Sequence, residues 1–119
     1  MSGTGEYGEQ LAVRHLEQQG YRVVERNWRA GKAGEIDIVA YDGPVLAFVE
    51  VKTRSGGPGG GPQRAVTPRK QAQLARLATR YLYRTGLYGT VDCRFDVVAI
   101  ELSSPRPRIE LIRDAFRPR

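Results

Sequence analysis

Cysteine and histidine, which build soft-metal and redox sites, are nearly absent. The 119 residues hold one cysteine, Cys93, and one histidine, His15. A lone cysteine permits no intramolecular disulfide and no cysteine-based zinc site. Cys93 lies between Asp92 and Arg94 in an alternating stretch and is expected to be a small buried hydrophobe. His15 sits beside Leu16 at the edge of an apolar helical stripe, so packing or capping is expected of it rather than ligation. No apolar run approaches the roughly 18 residues a membrane span needs. The start, MSGTGEYGEQ, has no basic segment leading into an apolar one, so a signal peptide is not expected and the cytoplasm is the default location. Acidic residues are in deficit too: 13 Asp and Glu face 19 Lys and Arg, a net charge of +6. That balance points to nucleic acid or another anionic surface. Arginine predominates, and its fork can bind two phosphate oxygens at once.

What is present fits one α/β domain spanning residues 1–119, since domains commonly run to about 100–150 residues. Thr4 to Gln19 has helical spacing, with Leu11, Ala12 and Leu16 on one stripe and Gly20 as a stop. Tyr21 to Trp28 is β-branched and loosely alternating, which predicts a strand. A short basic loop with Arg29, Lys32, Gly31 and Gly34 follows. Glu35 to Ala40 (EIDIVA) and Val45 to Lys52 (VLAFVEVK) predict two strands of a hairpin around Tyr-Asp-Gly-Pro. The segment at about 55–63 is a flexible Gly/Pro-rich loop, either a plain linker or a flap beside a site. Thr67-Pro68 opens a second helix, with Leu74, Leu77, Ala78, Tyr81 and Leu82 as its apolar stripe and Gly86 as its end. Thr90 to Leu102 alternates, and a last strand is expected from Ile109 to Ile112.

The hairpin carries the chemistry. Side chains alternate faces along a strand, so Glu50 and Lys52 share a face, as do Glu35 and Asp37. A turn pairing Ala40 with Val45 sets Asp37 opposite Phe48 and Glu35 opposite Glu50, with Asp37, Glu50 and Lys52 on one side. Ile36 and Ile38 are expected together on the other face, with Val45, Ala47, Val49 and Val51 as core behind. The charged side is then a site or a solvent face. Two neighbouring carboxylates repel each other, and a divalent cation between them removes the conflict. Hard oxygen ligands suit Mg²⁺ or Mn²⁺. Such an ion activates water and polarises a phosphoryl oxygen, and a lysine beside it stabilises negative charge in the transition state. E-x-K alone is common on solvated strands; the upstream aspartate on the same face gives it weight.

The run GEIDIVA followed by FVEVKTR, with GExxA near the start and RFDVV near the end, resembles the YraN-like family of small bacterial proteins. That family is similar to Holliday junction resolvases of the PD-(D/E)XK superfamily, and the resemblance covers nearly the whole chain. It implies a restriction-endonuclease-like core: a central mixed β-sheet flanked by helices. It implies catalytic roles for Asp37, Glu50 and Lys52, and metal ligation by Asp37, Glu50 and the Val51 carbonyl. Glu9 matches a first-helix glutamate that completes the metal site in resolvases, or it is an ordinary surface residue. No proline precedes Asp37, a common departure. Glu35 is expected as a further ligand or a partner behind the ligands. Gln71, with Lys70 beside it, resembles a position near the active site or simply faces solvent. Arg29, Lys32, Arg54, Arg69 and Lys70 are expected on the DNA backbone. The expected function is Mg²⁺- or Mn²⁺-dependent endonucleolytic cleavage of duplex or branched DNA. A symmetric homodimer is expected by analogy, and no membrane partner is. Two alternatives stand beside it: a non-catalytic nucleic-acid-binding protein on the same fold, and an adaptor whose acidic hairpin binds another protein.

Overall fold

The structure is a computed structural model that describes residues 3–54, 66–103 and 105–118. Its elements are α1 (Gly3–Gln18), β1 (Arg22–Arg29), a 3-10 turn (Gly31–Ala33), β2 (Glu35–Asp42), β3 (Val45–Arg54), α2 (Pro68–Thr85), β4 (Asp92–Glu101) and β5 (Arg108–Phe116). The strands form one sheet in the order β1-β2-β3-β4-β5. Only β3 and β4 pair in parallel, the other neighbours being antiparallel. Parallel neighbours need a long crossover, and α2 supplies it. This is the α/β class expected, a mixed sheet flanked by two helices and consistent with a restriction-endonuclease-like core. The loop expected at about 55–63 lies outside the described residues.

Local chemistry sets the helix ends. The Thr67 side chain accepts from the Lys70 N–H at 3.1 Å, Pro68 occupies the first turn, and Gly86 caps α2 in the left-handed region at φ 74. The turn after Gly86 folds back, and the Leu87 N–H reaches the Leu82 carbonyl at 2.9 Å. On α1, a Cβ added to Gly8 would run into Thr53 Oγ1, so the missing side chain lets α1 lie close against β3.

Both faces of the sheet are covered. Against α2 lie Ile36, Val39, Leu46, Phe48 and Val97, packed with Leu74, Leu77 and Tyr81. Against α1 lie Ile38, Ala40, Ala47, Val49, Val98 and Ile100, packed with Ala12, Leu16 and Tyr21. The expectation of one apolar face behind and one open face in front is therefore corrected: β3 is buried on both sides from Leu46 to Glu50. A strand next to a parallel crossover is covered twice, which makes its sequence a continuous apolar run rather than an alternation.

The hairpin register also differs from expectation. Gly43 (φ 59) and Pro44 form a two-residue turn, and Asp42 pairs with Val45, Ala40 with Ala47 and Val39 with Phe48. A glycine at the first central position with φ above zero fits the II′ pattern. Asp37 is thus not opposite Phe48; continuing the register past the last pair, Ile38 with Val49, sets it across from Glu50. The shift is two residues, so face assignments on β3 are unchanged. A further correction concerns β2, where Ile36 packs toward α2 and Ile38 toward α1. The alternation breaks at Asp37. On β1 the residue between the pairs Arg26–Ile38 and Trp28–Ile36 is Asn27, which has φ 52. Asparagine tolerates that left-handed conformation, and it lies across from Asp37, where the alternation breaks.

Two smaller findings complete the frame. Cys93 is exposed, not buried as expected, because it precedes the doubly covered part of β4. Asp96, for which sequence suggested no role, is fully buried. It accepts from Tyr21 Oη at 2.6 Å, Arg94 Nε at 2.8 Å and the Asp114 N–H at 2.9 Å. The register of β4 against β5 shifts between Phe95 and Val97, and the Asp96 carboxylate takes a backbone N–H of β5 there.

A candidate metal centre of clustered carboxylates

The acids gather where β2 and β3 part. Past Ile38–Val49 the ladder ends, and the Val51 N–H donates to Asp37 Oδ2 at 2.8 Å instead. Asp37 thereby stands at the turn of β2. Glu9 comes from α1, brought near by the close packing at Gly8. Glu35 comes from the start of β2, directly after Gly34, whose φ is 123. A Cβ on Gly34 would meet the Gln73 amide, and that amide donates to the Ala33 carbonyl at 2.9 Å. Glycine is required there on both counts. One carboxylate oxygen from each of Glu9, Glu35 and Asp37 lies within 4.8 Å of the other two. Glu50, on β3 across from Asp37, is buried at 8% exposure.

Electrostatics follows from this crowding. The Asp37 carboxyl is pushed up to about 7, first by burial, then by the Glu50 carboxylate, with Glu9 and Glu35 adding to it. The hydrogen bond from Val51 pulls the other way and is outweighed. Glu50 acts on Asp37 more than either member of the tight trio does; its charge is buried, where solvent screens least.

Three cations border the cluster. Arg29 meets Glu35 at 2.8 Å, Lys70 meets Glu50 at 3.8 Å and Arg26 meets Glu9 at 3.9 Å. Lys52 is half-buried two residues beyond Glu50 and forms no ion pair among the described residues.

The structure therefore brings together Glu9, Glu35 and Asp37, with the buried Glu50 near enough to act on Asp37. Val51 takes part through its N–H. Lys70 reaches Glu50 from the first turn of α2, whereas the Gln71 amide donates to the Val66 carbonyl at 2.9 Å and ties down the helix start. Of the residues expected on DNA, Arg29 is paired with Glu35 yet largely exposed, and Lys32 and Arg69 are exposed. Arg54 ends β3, where its carbonyl accepts from the Leu102 N–H at 2.7 Å. Sequence patterning does not single out Arg26, Gly8, Gly34 or Asn27. The one available signal is that a glycine directly precedes Glu9 and another directly precedes Glu35.

An all-carboxylate oxygen set suits a hard divalent cation such as Mg²⁺ or Mn²⁺ and excludes a thiolate or imidazole metal site. Oxygen ligands about 2.0–2.1 Å from one ion stand at most about 4.2 Å apart. One oxygen each from Glu9, Glu35 and Asp37 lies within 4.8 Å of the others, near that limit. Among the described residues, no helix is long and apolar enough to cross a membrane.

Comparisons with known proteins agree on one grouping. A model described as "Uncharacterised protein family UPF0102" matches residues 8–100. A UPF0102 protein of Symbiobacterium thermophilum is 52% identical over 113 residues, which cover 94% of each chain. One of Geobacter sulfurreducens is 51% identical over 94% of this chain and 87% of its own. One of Syntrophus aciditrophicus is 48% identical over 95% of this chain and 87% of its own.

Proposed function

The chain belongs to the uncharacterised protein family UPF0102, and from that premise we propose that it is a metal-dependent endonuclease. It hydrolyses phosphodiester bonds of DNA, with branched or junction DNA as the substrate suggested by its resemblance to resolvases. The observation that carries this reading is the gathering of Glu9 from α1 and Glu35 from β2 about Asp37, whose carboxyl is pushed up to about 7 by burial first and then by the Glu50, Glu9 and Glu35 charges. A structure keeps such repulsion where a cation relieves it.

In this reading Asp37, Glu50 and Glu9 hold Mg²⁺ or Mn²⁺ with the Val51 carbonyl, and Glu35 adds a ligand or orients one. A bound ion would supply a more acidic water and Lewis acidity at the phosphoryl oxygen. The chain's own groups do the rest. Lys52 stabilises charge on the phosphoryl oxygens as attack proceeds. The Val51 N–H holds the Asp37 carboxylate in place. Arg29, Lys32, Arg54, Arg69 and Lys70 contact phosphates and position the strand.

One observation favours a non-catalytic reading. Arg26, Arg29 and Lys70 already pair with three of the four acids, as they would in a nucleic-acid-binding protein that has no need of metal. A single experiment separates the two. Purified chain is incubated with duplex, single-stranded, flap and four-way-junction DNA, with and without Mn²⁺, beside Asp37→Ala and Lys52→Ala. Metal-dependent cutting that disappears in both variants supports the enzyme. Binding without cutting, unchanged in both variants, supports the second reading. Calorimetric titration with Mn²⁺ tests the metal separately, and no heat of binding with DNA present would end the nuclease proposal.

A further inference from the structure

Charge is distributed very unevenly along this chain. From Val51 to Val91 there are eight Lys or Arg and no Asp or Glu, so the remaining 78 residues carry a net −2. The centre of this acid-free run is α2. Its 18 residues, PRKQAQLARLATRYLYRT, hold five basic side chains and no acidic one, even in the first turn. By contrast α1 mixes Glu6, Glu9 and Glu17 with Arg14.

For a merely solvated helix this arrangement is unfavourable. Arg76, Arg80 and Arg84 stand at successive i,i+4 positions, and like charges at that spacing repel by roughly 0.2–0.5 kcal/mol per pair. Arg69 and Lys70 set positive charge at the helix end that already carries about +0.5 of dipole charge. At 3.6 residues per turn, Arg69, Arg76, Arg80 and Tyr83 fall within about 60° of arc. That stripe lies away from Leu74, Leu77, Ala78 and Tyr81, which face the sheet. Arg69, Arg76 and Arg80 are exposed and have no ion-pair partner among the described residues.

The stripe ends on aromatic surface. Tyr83 and Tyr88 are 64% and 53% exposed. Their rings stack with centroids 4.3 Å apart and planes 10° from parallel. The turn after Gly86 builds this pair: the Tyr88 N–H returns to the Leu82 carbonyl at 3.2 Å and sets the Tyr88 ring against Tyr83. Among the other rings on this side of the sheet, Trp28, Phe48, Tyr81, Phe95 and Phe116 pack on one another in or against the core.

We propose that the solvent face of α2, from Arg69 to the Tyr83–Tyr88 stack, is a track for single-stranded nucleic acid. Its basic row spans about 21 Å from Arg69 to Tyr83 at about 1.5 Å per residue and meets the phosphates. The stacked tyrosines receive a base on an outer ring face. Rows of cations joined to aromatic platforms bind single strands because unpaired bases expose their π-faces, which a duplex hides. The N-terminal end of the track is anchored at the acidic cluster through Lys70 and Glu50. The proposal deepens the nuclease reading by naming an unpaired segment in the substrate, as in a flap or a splayed arm. Binding along the track itself requires no metal, so its test is independent of cutting.

The test is fluorescence anisotropy in EDTA, with a labelled oligothymidine and a labelled duplex of the same length as probes. The proteins are wild type, the double variant Arg76→Ala/Arg80→Ala, and Tyr83→Ala, all at exposed positions, with circular dichroism to verify the fold. The double variant should lose oligothymidine affinity, and its log–log salt slope should fall by about 1.4, two contacts at about 0.7 each. Tyr83→Ala should weaken oligothymidine binding by about tenfold, the lower part of the range for one base stack, and leave duplex binding unchanged. Wild-type affinity in both variants, or no oligothymidine binding by wild type at low salt, overturns the track. Equal losses on duplex and oligothymidine in Tyr83→Ala overturn the single-strand assignment. If these results hold but Mn²⁺ neither binds nor promotes cutting, the nuclease reading fails and the track survives.

Discussion

Replacing Asp37 by asparagine should make this protein more stable above neutral pH while removing its proposed metal site. Asp37 is pushed from the ordinary 3.8 to about 7 in the folded chain. Between those values the unfolded chain releases a proton that the folded chain keeps. Wild-type stability therefore falls as pH rises from about 4 to about 7 and levels off above. The gap is about three pH units at about 1.4 kcal/mol each, or about 4 kcal/mol. That is a large share of the about 5–15 kcal/mol that holds a typical domain together. Asparagine keeps an oxygen for the Val51 N–H and carries no charge for Glu50, Glu9 and Glu35 to repel. The assay is urea unfolding of both proteins in EDTA, from about pH 5 to about pH 8. Taking the difference between them cancels carboxylates such as Asp42, whose pKa its partners Arg94 and Arg113 hold down. Asp37→Asn should gain on wild type up to about pH 7 and then level off at about 4 kcal/mol. Added Mn²⁺ should narrow the gap at high pH and do little at low pH, where the proton already occupies the site. A wild type whose stability relative to Asp37→Asn does not change with pH would refute the crowding argument. So would an asparagine variant that is the weaker protein at about pH 8.

Other expectations follow from the same geometry. Gly8→Ala introduces a methyl group that must displace Thr53 or α1; it should cost about 1–3 kcal/mol in urea unfolding and weaken Mn²⁺ binding by moving Glu9, whereas a full-strength Mn²⁺ isotherm would show that α1 does not position that acid. Asp96→Ala removes the buried acceptor shared by Tyr21, half-buried Arg94 and the Asp114 N–H, leaving Arg94 its ion pair with Asp42. It should cost about 3–5 kcal/mol without changing DNA cleavage by the protein that remains folded, and altered cleavage per folded molecule would show that the Asp96 network reaches the site.

The element types and their order were legible in the sequence because each rests on local chemistry. Thr67-Pro68 and Gly86 mark the ends of α2 through one hydroxyl, one ring and one left-handed residue. Tyr-Asp-Gly-Pro announces a hairpin whatever surrounds it. That Glu50 and Lys52 share a face of β3 was legible as well, since a register error of two residues leaves a straight strand's side chains on their faces. The register itself was not. Several turns fit Tyr-Asp-Gly-Pro, and choosing Gly43-Pro44 depends on how β2 and β3 pair along their length.

Sequence alone determined that an aspartate and an E-x-K triplet stand on adjacent strands, next to a helix that carries only positive charge. Tertiary structure decided that the aspartate meets Glu9 and Glu35, at the end of a sheet buried on both faces. Alternation describes a straight strand, and β2 is not straight: it turns at Asp37, opposite Asn27 at φ 52. That turn, and the approach of α1 that Gly8 permits, depend on contacts between residues far apart in the chain. No local pattern encodes them, because the energy that holds them belongs to the packed core.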